Sequence, residues 1–341
     1  MQVIRTRCLA ASAAAGILLV AAGSAQPLQG FGTPLAPAGA TVAVTSTQDA
    51  GPGTLREALA GPGPRRIVFE VAGTITLQRR LEIRDRRRVT VDGATAPPPG
   101  ITLANHGIAV LGSEDVLLSH LRVRNAAVDG VAIGDSRRIV VDHCSVSDSA
   151  DENISVTENS RDVTVSWCVV GSTHDDVEGR AKGMLIANFR QAAVSHVSVH
   201  HTLFVNEAQR SPQVSTPGLF DIRNNVVVNW GAYGVRIRNG AFGNIVNNVF
   251  TGGRNPRRAL VVGDDAGLVH VHGNVAPRAA GDINAASTAP EAWPVAAVTT
   301  DSAEAAADAV VSHAGAAPRD AVDIRLAAQA AAAVKAQRGG S

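Results

Sequence analysis

Asp129, Glu152, Asp176 and Arg210 each lie nine residues beyond a polar or aromatic residue: His120, His143, Trp167 and His201 respectively. If those four markers are equivalent positions of a repeat, three carboxylates and one guanidinium line one edge of the molecule in consecutive layers. Carboxylates stacked ~5 Å apart repel one another unless a cation stands among them. A hard, oxygen-seeking ion such as Ca2+ suits that group, and Asp151 and Asp175 offer further oxygens. The plain alternative is a row of solvated turn acids. Lys182 and Arg210 on the same side would hold a polyanion by charge-assisted hydrogen bonds, or serve as ordinary surface ion-pair partners. His143, His200 and His201 fall within strand-like segments, with no helix to bring them to zinc-ligand spacing. The chain holds no G-x-S-x-G elbow and no glycine-rich phosphate loop.

The elements that must position these groups are short and recurrent. Residues 116–121, 139–144, 163–168, 197–202, 220–226, 243–249 and 269–275 alternate β-branched and polar residues and end on turn chemistry. Taking His120, His143, Trp167, His201, Asn225, Asn248 and Asn274 as their end markers gives intervals of 23, 24, 34, 24, 23 and 26 residues. A near-constant period without intervening amphipathic helices predicts an all-β fold, a right-handed parallel β-helix, rather than a doubly wound sheet. Asn side chains in register can then form a ladder from coil to coil. Cys144 and Cys168 follow their markers by one residue and stack in adjacent coils. A disulfide between them is open, although parallel neighbours present poor geometry for it. The 34-residue interval carries an insertion, the place where a rigid scaffold tends to hold function. Upstream, residues 53–60 read as a short capping helix with Thr54 as N-cap.

Composition agrees with stacked thin layers. Hydrophobic residues make up 45% of the 341, yet only seven Phe, three Trp and one Tyr are present, so aliphatic side chains must fill the core. Residues 1–25 read as a secretory signal peptide, with Arg5 and Arg7 ahead of an apolar run too short to span a bilayer. Without them the formal charge passes from +1 to −1, which gives no support for nucleic-acid binding. The expected organisation is a leader (1–25), a linker (26–41), the β-helix (42–275) and an Ala-rich tail (276–341) packed on the solenoid. No later segment is apolar enough to span a membrane. A secreted monomer is expected.

Several motifs in one order resemble the polysaccharide lyase family 1 pectate lyases: VTSTQDAGPGTLR at 44–56, IVFEVAGTI at 67–75, VDGATAP at 91–97 and IVVDHCS at 139–145. KGMLI at 182–186, QRSP at 209–212 and NNVVVNW at 224–230 continue the series, with a weaker echo in AGAAPRDAVD at 314–323. The resemblance implies a secreted enzyme that cleaves polygalacturonate by β-elimination. It implies that calcium bridges protein acids and a substrate carboxylate, that Arg210 is the base and that Lys182 binds a substrate carboxylate. Arginine is a poor base at its ordinary pKa above ~12, so such a mechanism demands an electropositive, partly desolvated setting.

The sequence also departs from that pattern. Position 127 is Ala where a second acid beside Asp129 is expected, position 155 is Ser where another acid is expected, and position 215 is Ser instead of Arg. Asp129, Asp151, Glu152 and Asp176 are therefore the expected metal ligands, in a rearranged set. Arg223 is the expected substitute for the missing substrate clamp, with Arg236 a second option. Two rivals remain: a non-catalytic β-helix that binds acidic polysaccharide, and a calcium-independent lyase acting on esterified pectin. A hydrolase built on His174, Asp175 and Asp176 is disfavoured, because sequence neighbours seldom flank one bond from both sides.

Overall fold

The computed structural model describes residues 27–174, 181–190 and 192–339. The expected leader and the acids Asp175 and Asp176 lie outside the described residues. Strands join into one ten-stranded and two eight-stranded sheets, and in each sheet neighbours come from successive passes of the chain. Every strand pair is parallel, so the architecture is the parallel β-helix expected from the period. Register follows the apolar pattern. Val116, Ile139, Val163, Val197 and Phe220 stand opposite one another in sequence along the ten-stranded sheet. All five are buried and form part of a single core running the length of the coil.

The period is clearer in the structure than in the markers. His120, His143, Trp167, His201, Asn224, Asn247 and Gly273 all have positive φ and turn the chain out of the ten-stranded sheet. Asn225, Asn248 and Asn274 are thus one residue past the true corner, and the last four intervals become 34, 23, 23 and 26. Two adjacent Asn residues caused the offset, because Asn serves both purposes: the first tolerates the left-handed turn, the second points inward.

That second position is a continuous inner ladder. The Oδ1 of Asn248 accepts from the Asn225 backbone N–H at 2.9 Å and from its Nδ2 at 3.0 Å. Asn274 does the same for Asn248, both at 2.9 Å, and Asn284 for Asn274 at 3.0 and 3.1 Å. Cys144, Cys168 and Thr202 occupy the equivalent positions in earlier coils. Both cysteines are buried free thiols, so the stacking holds without a disulfide; their Sγ atoms donate to backbone carbonyls, among them Ser166 O at 3.2 Å. Outside the corner, His120, His143, Trp167 and His201 stack ring on ring, with centroids 5.0, 5.8 and 4.4 Å apart.

The N-terminal end and two flanks are covered. Helix α1 (Leu55–Ala60) buries Leu55, Ala58 and Leu59 over the first coil. Its N-cap Thr54 accepts from Glu57 N, and Glu57 in turn accepts from Gly53 N at 2.7 Å. The C-terminal region crosses the ten-stranded sheet as an extended segment, where Asp301 N donates to Asn224 Oδ1 at 3.1 Å. It then forms α2 (Ala303–His313) and α3 (Ala321–Gly339), whose Ala307, Val310, Leu326 and Ala330 pack on Leu203, Val205, Val226 and Val228. Arg124 ties this tail down through Asp323 at 2.8 Å and Asp320 at 3.1 Å.

Two outcomes follow. Asn248→Ala removes the acceptor of the Asn225 backbone N–H and of one Asn225 amide hydrogen inside the coil, and it should lower unfolding free energy by about 3 kcal/mol in chemical denaturation. His200, held down to about 3 by burial and by the neighbouring His201, is neutral when folded. The unfolded chain takes up a proton there near pH 6.5, so stability falls as pH drops from 6.5 towards 3. Melting curves of His200→Gln should show a shallower loss than wild type across that window.

Candidate functional site

One eight-stranded sheet carries the chemistry at the N-terminal ends of its strands. The strand Val131–Gly134 pairs with Glu152–Thr157, matching Val131 to Ile154, which sets Asp129 beside Glu152. Glu152 pairs with Lys182 at the start of Lys182–Ala187, and Lys182 bridges Gln209 next to Arg210. The edge therefore reads Asp129, Glu152, Lys182, Arg210. Lys182 holds the layer that spacing assigned to Asp176, which lies outside the described residues. The reason is the insertion: 30 residues separate Glu152 from Lys182, against 23 between Asp129 and Glu152.

Three of the four expected metal ligands converge. One carboxylate oxygen from each of Asp129, Asp151 and Glu152 lies within 4.8 Å of the others. Burial pushes the Asp129 carboxyl above its usual range; the Asp151 charge adds to this, and a 2.5 Å hydrogen bond from Ser155 Oγ opposes it. Ser155, standing where an acid was expected, thus supports Asp129 by donation and adds no charge. The cations face these acids directly: Lys182 Nζ bonds Asp151 Oδ1, and Arg210 Nη1 bonds Glu152 Oε1. Glu152 is buried, whereas the Asp151 side chain is 46% exposed.

Backbone geometry brings Arg210 close. Its φ is +68°, in the left-handed region that a long side chain seldom adopts. Its carbonyl approaches Gly183 so nearly that a Cβ there would sit 2.4 Å away, so the KG pair at 182–183 needs glycine second. Beneath the edge, Asn153 Nδ2 donates to Glu207 Oε1 at 2.7 Å, joining two buried side chains from neighbouring elements.

Arg223 is not part of this cluster. It ends the strand Leu219–Arg223 of the ten-stranded sheet, gripping Asp221 with two 2.7 Å bonds and Thr300 with a third. One residue of register places it opposite His200 on a different face of the coil. Arg236 is on the correct sheet, paired with Gln213, and its guanidinium lies 5.6 Å from the Tyr233 ring centroid. Tyr233 was missed from sequence. Its hydroxyl contacts Gln209 Oε1 at 3.1 Å and Gln213 Oε1 at 2.5 Å, building a polar shelf beside Lys182. The signal was available: Tyr233 lies 24 residues, one coil, after Gln209. Ser215 accepts from Asn239 Nδ2 and brings no charge.

A sequence profile of the pectate lyase family matches residues 89–318. The probable pectate lyase C of Emericella nidulans is 31% identical over 215 residues, covering 62% of this chain and 48% of that protein. The Aspergillus terreus protein of the same name is 28% identical over 216 residues, covering 62% and 49%. The chain thus spans about half the length of the curated relatives it matches. Among solved structures, a Bacillus pectate lyase in complex with trigalacturonate superposes with a TM-score of 0.68 at 18% identity, over 85% of this chain and 98% of that one. The cedar pollen allergen jun a 1 gives 0.68 at 19%, over 85% and 92%. At such identities the likeness is one of fold.

Three hard oxygen donors crowded together fit a calcium ion. Calcium at about a hundred times its Kd should raise unfolding free energy by about 2.7 kcal/mol, reversibly with chelator. Asp129→Asn combined with Asp151→Asn should abolish the calcium-dependent rise in Tm.

Proposed function

Because the chain belongs to the pectate lyase family, we propose that it is a secreted, monomeric polysaccharide lyase that cleaves polygalacturonate by β-elimination. The observation that carries this reading is the juxtaposition of Lys182 and Arg210 on one edge, directly against Asp151 and Glu152. Cations beside an acid cluster suit a uronate polymer, since each sugar brings a carboxylate that Lys182 and Arg236 can hold. Arg236 takes the clamp role for which Arg223 is misplaced. Asp129, Asp151 and Glu152 would hold calcium. When bound, the ion supplies positive charge next to the substrate carboxylate and so makes the C5 proton more acidic.

The chain's own work is positioning and proton transfer. Lys182 orients the uronate ring so that its C5–H faces Arg210. Arg210, acting as the neutral guanidine, takes that proton and becomes guanidinium; the C–H electron pair becomes the C4–C5 double bond, and the glycosidic oxygen leaves C4 and takes a proton from water. Release outside the cell rests on the leader at residues 1–25. Among the described residues no helix is long and apolar enough to cross a membrane.

Polygalacturonate turnover, followed by ultraviolet absorbance of the unsaturated product, tests the reading. Arg210→Ala should lower kcat by about 10²–10⁴-fold, with trigalacturonate affinity changed less than about tenfold. Full turnover in that variant would remove Arg210 from the role of base. One observation favours a second reading, a non-catalytic binder of acidic glycan: the Arg210 guanidinium is engaged by a buried acid. Calorimetric binding of trigalacturonate by wild type, without product from pectate or esterified pectin, would establish that alternative.

A further inference from the structure

We propose that Glu152, assisted by Asp151, latches the two functional cations, and that a divalent metal opens the latch by claiming the same carboxylates. The inference rests on the reading of Lys182 and Arg210 as the groups that meet substrate. It concerns Glu152, the acid that, among the described residues, both belongs to the three-carboxylate cluster and bonds Arg210.

Charge and burial set the direction. Asp129, Asp151 and Glu152 oppose Lys182 and Arg210 within the cluster. A polyuronate meeting that surface finds the groups that should bind it already partnered. One bound divalent ion adds two positive charges to the same edge. It also competes with both side chains for oxygen, because a cation held by Glu152 repels a guanidinium held by the same carboxylate. The Glu152 side chain is only 6% exposed, so its bond to Arg210 is desolvated and charge-assisted. The Lys182–Asp151 pair is more open to water, at 27% and 46%, and contributes less. Glu152 is therefore the principal latch.

Ser155 makes the dual role necessary. Its hydroxyl is committed to Asp129 and supplies no third charge, so among the described residues the carboxylate that completes the metal group comes from the partner of Arg210. Substrate affinity then depends on the metal through two side chains of the protein, in addition to any direct bridge.

Calorimetry with calcium alone and with trigalacturonate, each against the full chain, tests this. Wild type should bind trigalacturonate at least about tenfold more weakly in chelator than in calcium. Glu152→Gln should bind it about tenfold more tightly than wild type in chelator, while its calcium affinity falls about tenfold or more. Unchanged trisaccharide affinity in chelator, or unchanged calcium affinity, overturns the latch. If Glu152→Gln does not fold, Glu152→Asp applies the same criterion: it keeps the charge but is one methylene short of Arg210, so trisaccharide binding in chelator should rise with calcium binding retained. No rise in that variant likewise overturns the proposal. Product formation separates the two readings. Metal-gated binding with no turnover in wild type defeats the lyase reading alone, and turnover with chelator-insensitive trisaccharide binding defeats the latch alone.

Discussion

The contact on which everything else depends is the parallel, in-register pairing of each strand with the strand one coil earlier. It satisfies the backbone groups of a chain that has almost no long helices, and it superimposes like side chains along three sheets. Because strands stack ~4.8 Å apart, whatever occupies a given position in one coil meets its counterpart in the next. Aliphatic residues facing inward then make a continuous core, and an Asn at the inner corner finds an Asn above it. Aromatic residues are few, yet Phe69, Phe204, Phe220, Trp230 and Phe250 are enclosed in that core, while Trp167 stacks between His143 and His201 on the outer corner.

The same superposition that builds a core creates a charge problem on the outer edge. Acids in consecutive coils cannot lie side by side without compensation. Here two acids, Asp129 and Glu152, are followed by two cations, Lys182 and Arg210. The longer interval between Glu152 and Lys182 lets the edge take this order while the strands Glu152–Thr157 and Lys182–Ala187 still pair in parallel. Burial differs along the edge, so equal charges do not carry equal weight. Glu152 is enclosed while Asp151 is open to solvent, and that difference separates a strong internal pair from one that water can replace.

Much of this was legible in the residues. The fold followed from a period near 23–24 and from β-branched alternation, both properties of neighbouring residues. Asp129, Glu152 and Arg210 could be named because offsets within a regular repeat become positions along an edge; Asp151 was named as their neighbour, and the role of Lys182 came from the family resemblance. The weak points were places where regularity broke. Adjacent Asn pairs blurred which residue turned and which pointed inward, and the insertion hid which residue followed Glu152 in space.

The sequence by itself determined the stacked all-β architecture, the row of opposite charges and the short cap carried by Thr54, since each depends on spacing or on local backbone chemistry. Only the tertiary structure decided that Lys182 follows Glu152 in the row, that Arg223 belongs to another sheet and that Tyr233 and Arg236 flank the site. It also decided which acid grips which cation. Those outcomes depend on register across an insertion and on how deeply each side chain is enclosed, and both are set by residues far apart in the chain.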